Sequence, residues 1–458
     1  MSTLHLLDRA YGLTGNNVLK RATASRLIYA LQPSALNFCE HLPSKDDPHE
    51  RIPAHVAGAN ALTIDRFEGR YLLSGGADSS IAIWDLEAQT ATTEAGKTYL
   101  PLSAVNKTSE EHKLGITQIS FYPFDSLAFL TSSYDHTVKI YSSETLAPSA
   151  TFHLDSVVYN IALSPIAAHL LVACATQHPN VRLVDLRSGA NTHSLAGHSG
   201  AILSTAWSPV REHILASGAT DGSVRFWDVR RSVGELGVLD LEDSIGVLGK
   251  STASFSRTST HGQAHRGPVN GIVWTEDGGH LVTCGHDQRV RVWDTFSGAN
   301  TLANFGPMVK NSGLAPCMPI LPPAQNLQSS VDVMFYPNGH EILAYELFEG
   351  KLFRRLRRPH ILESNRAVDS AVAKGQRNVR DRVTSLAWRA HDVEMYSAHA
   401  DGSIAAWQPR TDTDANLDEE EEKEREEKED GRKRKRGVLD EIYQGLTKKQ
   451  ITFGGMGM

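Results

Sequence analysis

The chain has little of what disulfide-rich or zinc-stabilised proteins require. It contains only four cysteines in 458 residues, and no two of them form a C-x-x-C pair. Neither a zinc site nor a disulfide framework is indicated, and we expect no metal and no cofactor. Cys174 and Cys284 fall on predicted strands, where a free cysteine is most simply a small core residue. This cysteine usage is typical of a protein in a reducing, intracellular compartment.

Long hydrophobic runs and strong positive charge are also missing. No apolar run approaches the ~20 residues of a membrane span, and the segment Met1–Leu31 is too charged and too interrupted for a signal peptide. The formal net charge is −7, of which the segment 411–458 carries −4, so residues 1–410 carry only −3. Such a balance does not favour a surface that attracts DNA. We therefore expect no membrane partner and no direct nucleic-acid binding.

What the chain does contain is a repeated unit, clearest between Gly197 and Arg230. Gly197-His198 precedes a predicted strand that ends at Trp207. Asp221-Gly222 is a signal for a tight hairpin turn, because both residues tolerate a positive φ. The β-rich run that follows ends at Trp227-Asp228. A Gly-His … Trp-Asp unit is typical of a WD40 propeller blade, a four-stranded sheet repeated around a channel.

The unit recurs five times in fixed register, with an Asp six residues before a Trp or Tyr. The five pairs are Asp78–Trp84, Asp135–Tyr141, Asp221–Trp227, Asp287–Trp293 and Asp401–Trp407. A hydroxyl residue stands four positions before each Asp, at Ser74, Thr131, Ser217, Thr283 and Ser397. Two worn copies, Ser156–Arg187 and Ser330–Leu356, bring the number of blades to seven. We therefore predict an all-β fold, a seven-bladed WD40 β-propeller over residues 55–410.

The recurring Asp, His, Ser/Thr and Trp resemble the buried hydrogen-bond chain of WD40 blades. In blade four its members are His198, Ser217, Asp221 and Trp227, and the upstream His is also present at His55 and His265. The Asp is expected to accept from the His, the His to meet the hydroxyl, and the hydroxyl to meet the indole N–H. Each buried polar group satisfied in this way avoids a cost of about 1–3 kcal/mol.

Asp, His and Ser also make up a hydrolase triad. A catalytic triad occurs once in a protein, however, whereas this set recurs in partial form five times. Neither a G-x-S-x-G elbow nor a Walker loop is present in the sequence. We therefore expect a structural role for these residues and no enzymatic activity.

Two segments precede the propeller. Residues 1–31 are predicted to form a helix-loop-helix, with Leu4 and Leu7 on the first apolar face and Val18 and Leu19 on the second. This helical pair either folds back on the propeller or docks a partner. Residues 32–54 are a connector whose end is expected to pair as the closing strand of the last blade, because a closed ring has no free edge.

Charge is concentrated in two places. The cluster Lys351–Arg358 either contacts phosphate or carries solvated bases where a strand leaves the fold. In the tail, residues 411–458, an acid-rich block is predicted to be disordered or a solvated helix. A five-residue basic block follows, which is a candidate nuclear-import signal or a solvated charge run, and we expect the protein in the nucleus. Its members are Arg432, Lys433, Arg434, Lys435 and Arg436.

The end of the clearest repeat, Trp227-Asp228-Val229-Arg230, resembles the Trp-Asp-x-Arg box of cullin–RING ubiquitin ligase receptors. Such receptors dock on a triple-propeller adaptor, the damaged-DNA-binding subunit. A weaker echo ends at Arg187 one blade earlier. An Arg at this place offers a planar donor fork to carboxylates or carbonyls. By this resemblance, Trp227, Asp228, Arg230 and Arg187, with Leu4, Leu7, Val18 and Leu19, are the expected adaptor-binding residues.

A closer resemblance runs from about Leu4 to Pro409. The segments Glu68–Asp78, Leu203–Pro209 and Ser297–Gly306 resemble the Cockayne syndrome A protein family. The resemblance implies a substrate receptor in transcription-coupled nucleotide-excision repair. Its helical pair and underside would hold the adaptor, and its opposite face would meet a Cockayne syndrome B-type ATPase and RNA polymerase II machinery. The alternatives are a non-ligase scaffold in a nuclear chromatin or RNA-processing complex and direct recognition of damaged DNA.

Overall fold

In the computed structural model the regular secondary structure of the described residues is almost wholly β-strand. The structure describes residues 11, 16–34, 36–42, 52–88, 91–93, 96–105, 111–166, 169–189, 191–231, 235–241, 262–328, 332–358, 382–389 and 391–410. The helices of this described part are α1 (Asn16–Tyr29) and a short 3-10 helix (Ala324–Asn326). The chain divides into two units, Met1–Pro409 and Arg410–Met458.

Blades one to four are antiparallel sheets of four strands, which follow one another from the inner strand outward. Blade one contains β3 (Ala59–Ile64), β4 (Tyr71–Gly76), β5 (Ile81–Asp85) and β8 (Pro101–Val105). Blade two contains β9 (Ile116–Phe121), β10 (Ala128–Ser133), β11 (Thr137–Ser142) and β12 (Pro148–His153). Blade three contains β13 (Val158–Leu163), β14 (Leu171–Thr176), β15 (Val181–Asp185) and β16 (Asn191–Leu195). Blade four contains β17 (Ile202–Trp207), β18 (Ile214–Ala219), β19 (Val224–Asp228) and β20 (Glu235–Leu239).

The remaining three blades complete the ring and confirm the predicted seven-bladed WD40 propeller. Blade five contains β21 (Val269–Trp274), β22 (His280–Gly285) and β23 (Arg289–Asp294). Blade six contains β24 (Val333–Asn338), β25 (Glu341–Glu346) and β26 (Leu352–Arg357). Blade seven contains β27 (Val383–Arg389), β28 (Glu394–His399), β29 (Ile404–Pro409) and, from the start of the chain, β1 (Leu31–Pro33).

The ring closes at β1, where Leu31 pairs with Pro409 and Pro33 with Trp407. The closing strand is therefore the start of the connector, and the prediction that its end would pair with blade seven is wrong. The physical reason is the burial of Leu31, whose side chain is 0% exposed in the apolar layer between blades six and seven. Placing that side chain in the core fixes the register of the strand that carries it.

Blade six also differs from its prediction. The sequence pattern makes residues 331–335 the first strand of this blade, but β24 is the second. The inner position is held by Ile320, which exchanges two backbone hydrogen bonds of 2.9 Å with Phe335. Ile320 lies in a Pro-rich segment that the sequence predicts to be a loop. Proline removes donors from a strand, so the inner strand here is reduced to a single bridge.

The core lies between neighbouring blades, where the faces of successive sheets pack together. The middle strands are buried almost throughout, as in Tyr71–Gly76 and Val224–Asp228. Strands buried on both faces read as continuous apolar and small residues rather than alternating ones. Four tryptophans at most 1% exposed stand in equivalent places, at Trp84, Trp227, Trp293 and Trp407. This repeated packing holds each blade at a fixed angle to the next.

A small sheet outside the blades anchors the connector. It consists of β2 (Asn37–Phe38), β6 (Ala91–Thr93) and β7 (Gly96–Tyr99), with β2 and β7 parallel. Phe38 is 3% exposed and its ring lies 5.3 Å from that of Trp84 and 5.1 Å from that of Tyr99. These aromatic contacts fix the connector against blade one. The sequence pattern did not predict this sheet.

Helix α1 packs against blades six and seven through its C-terminal half. Ile28 is 0% exposed and belongs to the same apolar layer as Leu31. The ring of Tyr29 lies 4.4 Å from that of Phe353, and Nη1 of Arg354 donates to the backbone oxygen of Tyr29 at 2.6 Å. The predicted second helix is thus folded back on the propeller at this end. The predicted first helix lies outside the described residues, as does the tail from residue 411.

Candidate protein-binding face

The four residues predicted for blade four belong to one buried chain of hydrogen bonds. The indole Nε1–H of Trp227 donates to Oγ of Ser217 at 2.7 Å, and that oxygen lies 2.7 Å from Nε2 of His198. Nδ1 of His198 lies 2.8 Å from Oγ of Ser223, whose hydroxyl donates to Oδ1 of Asp221 at 2.7 Å. The structure therefore brings these side chains together and adds Ser223 between the His and the Asp.

The direction of the bonds assigns the tautomer of His198. Ser223 donates its single proton to Asp221, so it accepts from Nδ1–H of His198, and Nε2 of the neutral ring accepts from the hydroxyl of Ser217. Burial lowers the pKa of His198 below its usual value and keeps the ring neutral near pH 7. Burial alone would raise the pKa of Asp221, but the nearby His198 ring, 3.5 Å away, and the hydrogen bond from Ser223 outweigh it and hold that pKa below its usual range. A neutral His and an ionised Asp satisfy every bond of the chain.

The Asp meets the His directly in some blades and through a serine in others. The direct pairs, at 2.9 and 3.0 Å, are His112–Asp135 in blade two and His265–Asp287 in blade five. In blade one, Oγ of Ser80 lies 2.6 Å from Nδ1 of His55, and Ser223 takes this place in blade four. The prediction that every Asp accepts directly from its His is therefore wrong for blades one and four. The reason is the serine two residues after the Asp, which offers a shorter bridge.

The repeat pattern missed two members of these chains. Nε2 of His112 lies 2.7 Å from Oγ1 of Thr131. His112 stands 19 residues before Thr131, as His198 does before Ser217. This spacing could therefore have predicted the histidine of blade two. In blade seven the turn carboxylate of Asp401 pairs with Nη2 of Arg358 at 2.9 Å. Arg358 comes from blade six, and no local motif in the sequence marks that pairing.

Arg230 lies where the third strand of blade four leaves the sheet, and its side chain is 64% exposed. Its Nε and Nη2 donate to Oδ1 and Oδ2 of Asp228 at 3.1 and 3.0 Å. The hydrogen bond from Arg230 is the main reason why the pKa of Asp228 lies below its usual range. The Asp228 side chain is only 4% exposed, so a buried carboxylate orients the guanidinium. Two of the five N–H donors of Arg230 serve this pair, which leaves three directed to solvent.

The other residues predicted to bind the adaptor have different surroundings. Trp227 and Asp228 are 1% and 3% exposed. They position Arg230 but offer no surface of their own, which corrects the expectation that they bind a partner directly. Arg187 is exposed at the equivalent place in blade three, and its backbone N–H donates to Oδ1 of Asp185 at 3.0 Å.

The predicted residues of the helical pair and the tail are only partly described. Val18 on α1 is 59% exposed, and Leu19 on the same helix is half-buried. The remaining predicted residues lie outside the described part of the chain; they are Leu4, Leu7, Arg432, Lys433, Arg434, Lys435 and Arg436.

The arginines of the basic cluster Lys351–Arg358 form intramolecular bonds. Nη2 of Arg355 and Nε of Arg357 each lie 2.8 Å from Oε2 of Glu341, whose side chain is 5% exposed. The remaining bonds join Arg354 to the backbone of Tyr29 and Arg358 to Asp401. The arginines therefore tie blade six to α1 and to blade seven. The arginines are therefore paired within the fold, which corrects the expectation of solvated bases and engages the cations that a phosphate would need.

The described part of the chain lacks two other kinds of feature. Among these residues, no helix is long and apolar enough to cross a membrane. In the same residues, no three His, Cys, Asp or Glu side chains are grouped so that they could hold a metal ion.

Comparison with protein families identifies four of the repeats. The model of the WD domain, G-beta repeat matches residues 49–85, 104–142, 189–228 and 255–294. These matches fall on blades one, two, four and five. In each of these blades a His stands upstream of the Asp–aromatic pair. The chain is a WD40-repeat protein. The family model thus matches the four blades in which a His, a hydroxyl residue and a turn Asp form the buried chain. Blades three, six and seven are defined by the sheet topology.

Similar proteins come from several functional groups. The chain is 28% identical to WD repeat-containing protein ATCSA-1 of Arabidopsis thaliana over 88% of this chain and 94% of the relative. It is 29% identical to radiation-sensitive protein 28 of Saccharomyces cerevisiae, over 41% of this chain and 39% of the relative. It is also 27% identical to ribosome biogenesis protein ytm1 of Emericella nidulans, over 54% of each chain.

Proposed function

We propose that this protein is the substrate-recognition subunit of a cullin–RING E3 ubiquitin ligase that acts in transcription-coupled nucleotide-excision repair. The observation that carries the proposal is Arg230, an exposed guanidinium that the buried Asp228 holds in place. This is the arrangement expected if the Trp-Asp-x-Arg box binds an adaptor. The similarity to ATCSA-1 over nearly the whole of both chains supports it, as does the similarity to a protein named for radiation sensitivity.

In this proposal the protein forms no bond itself. The triple-propeller damaged-DNA-binding adaptor docks around Arg230 and Arg187, and the N-terminal helical pair supplies a second contact. The opposite face meets a Cockayne syndrome B-type ATPase and RNA polymerase II machinery. Holding ligase and substrate together raises the effective concentration of the ligase near substrate lysines. The function requires no cofactor, and the protein works in the nucleus.

The test is co-purification of the adaptor from nuclear extract with the intact protein, Arg230→Ala and Arg266→Ala. Arg266 is a matched control, because it is also exposed but lies beside the turn carboxylate of Asp287, at the opposite edge of blade five. We expect the adaptor with the parent and Arg266→Ala and its loss with Arg230→Ala. Equal recovery with all three proteins would contradict the role of Arg230, and absence from all three would contradict the receptor function.

One observation favours a second function, a non-ligase scaffold in a nuclear RNA-processing complex. The chain is similar over about half its length to ribosome biogenesis protein ytm1. A scaffold of that kind has no use for an exposed, carboxylate-oriented Arg230. Recovery of preribosomal proteins in place of the adaptor, unaffected by Arg230→Ala, would favour the scaffold.

A further inference from the structure

Six exposed side chains occupy equivalent positions on the face where Arg230 lies. Each stands three residues after the position that Trp occupies in blades one, four, five and seven. Arg410 of blade seven is not included, because Pro409 before it lacks the N–H that fixes this position in the other blades. Tyr141, Val184 and Tyr345 hold that position in blades two, three and six. In blade order the six side chains are Glu87, Glu144, Arg187, Arg230, Phe296 and Phe348. We call this set the underside ring.

Backbone hydrogen bonds establish that the positions are equivalent. In each blade the residue just before the ring residue donates its N–H to the carbonyl just before the second strand. The six bonds, of 2.8–3.1 Å, are Leu86–Arg70, Ser143–Leu127, Leu186–Leu170, Val229–His213, Thr295–Gly279 and Leu347–Asp332. The ring residues are therefore displayed at the same point of each blade, and what differs between blades is the side chain alone.

Neighbouring blades carry the same type of side chain in the underside ring. Blades one and two carry acids, blades three and four carry arginines, and blades five and six carry phenylalanines. Phe296 is 64% exposed and Phe348 is 41% exposed. A single exposed aromatic residue needs no explanation. Two of them at equivalent positions of adjacent blades, next to two arginines, form the combination that is enriched where proteins bind each other.

Contacts between neighbouring blades link the arginine and phenylalanine sectors. Val210, which is 57% exposed, lies 2.9 Å through Cγ2 from the point where a Cβ would stand at Gly278. Thr295, the neighbour of Phe296, bonds to Gly279. The next residue, His280, packs its ring 4.7 Å from that of Phe348. Blades four, five and six are thus in contact with one another on this face.

We propose that Phe296 and Phe348 form the apolar half of the surface that binds the adaptor at Arg230. This inference rests on the proposed function, and it specifies the partner's chemistry. The adaptor presents acidic groups or carbonyls opposite Arg187 and Arg230 and an apolar patch opposite the two phenylalanines. Its footprint covers the arc from blade three to blade six. Glu144 marks the side that it leaves uncovered, because an exposed acid would repel an acidic partner surface. The charge of Glu87 is offset by Arg70 at 3.8 Å and Arg389 at 3.5 Å.

The test measures binding of the purified adaptor to the intact protein, to the double variant Phe296→Ala/Phe348→Ala, and to Leu102→Ala. Leu102 is a matched control, since it is 65% exposed but lies on the outer strand of blade one. We expect the double variant to bind at least tenfold more weakly, about 1.4 kcal/mol, and Leu102→Ala to bind like the parent. Phe296→Ala alone, which removes the more exposed ring, should account for part of the loss and melt like the parent.

The outcomes separate this inference from the proposed function. If the parent binds and Arg230→Ala does not, but both phenylalanine variants bind like the parent, the aromatic half is wrong and the receptor function stands. If the parent itself does not bind the adaptor, both fail. A photo-crosslinking residue at position 296 gives an independent readout, because adaptor crosslinks there and none at position 102 support the footprint. The reverse pattern contradicts it.

Discussion

At the residue scale, two buried carboxylates of this protein orient arginines in different ways. Glu341 is buried and holds Arg355 and Arg357 against blade six. Asp228 is equally buried, yet Arg230 remains 64% exposed. Glu341 engages two arginines within blade six, of which Arg355 is 38% and Arg357 54% exposed. Asp228 takes up two N–H donors of Arg230, and the others remain for the adaptor contact that we propose.

Asp221→Ala is expected to destabilise the protein by about 2 kcal/mol, because buried polar groups lose a partner. The backbone N–H of Ser199 and the hydroxyl of Ser223 lose their acceptor. Chemical denaturation of parent and variant measures the free energy of unfolding. Glu144→Ala is the control, since it removes an exposed acid from another blade. If both variants are as stable as the parent, the turn carboxylate does not stabilise the blade.

At the element scale, α1 belongs partly to the ring and partly to its surface. Ile28 and the following Leu31 are both 0% exposed, and Leu31 begins the strand that closes blade seven. Val18, three turns earlier on α1, is 59% exposed. The C-terminal end of the helix is therefore folded on the propeller, and Val18 at the other end is exposed, as the proposed docking role requires.

Ile28→Ala is expected to cost about 2–5 kcal/mol, the range for truncating a fully buried aliphatic side chain. Val18→Ala, on the same helix, should change the free energy of unfolding by less than about 0.5 kcal/mol, as is usual for a surface substitution. Urea unfolding followed by tryptophan fluorescence compares the two. Equal effects of both variants would show that α1 does not pack as the structure has it.

The sequence predicted elements wherever a local signal repeats. The Asp–Gly turn and the Asp-to-Trp spacing located blade four, and worn copies located blades three and six. Elements without such a signal were missed, because they depend on contacts between distant segments. Ile320 pairs with Phe335 across a Pro-rich stretch, and Leu31 closes the ring by filling a layer between the two ends of the chain. Neither pairing has a periodicity that a local pattern could reveal.

At the scale of the whole molecule, only the two arginines of the candidate site, Arg187 and Arg230, were predictable. Arg230 follows from the Trp-Asp-x-Arg box. Phe296 and Phe348 do not follow from that box. Phe296 stands after Trp293-Asp294 in the place where the box has Arg. Phe348 lies in blade six, where Tyr345 replaces the Trp. Their equivalence to Arg230 becomes visible only through the backbone bonds that repeat around the ring. A surface shared by several blades is a property of the assembled propeller.

The tail, which lies outside the described residues, carries a prediction about location. Deleting the basic block Arg432–Arg436 is expected to shift the protein toward the cytoplasm, because five uninterrupted bases fit a nuclear-import signal. Adaptor binding by the purified protein should not change. Fluorescence imaging of tagged parent and deletion proteins measures the shift. Nuclear accumulation of both to the same extent would contradict the import function of the block.

The most direct test of the receptor function is the dissociation constant of the purified intact protein with the purified triple-propeller adaptor. Loss of an interfacial, hydrogen-bonded Arg costs about 2–5 kcal/mol, so Arg230→Ala should bind roughly 30-fold more weakly or worse. The variant should melt like the parent, because Arg230 is exposed and Asp228 can keep its bond to the backbone N–H of residue 230. Titration calorimetry with parent, Arg230→Ala and Arg266→Ala gives the answer. A parent that binds tightly, with only Arg230→Ala weakened, is the result we predict, and a parent that does not bind would contradict the receptor function.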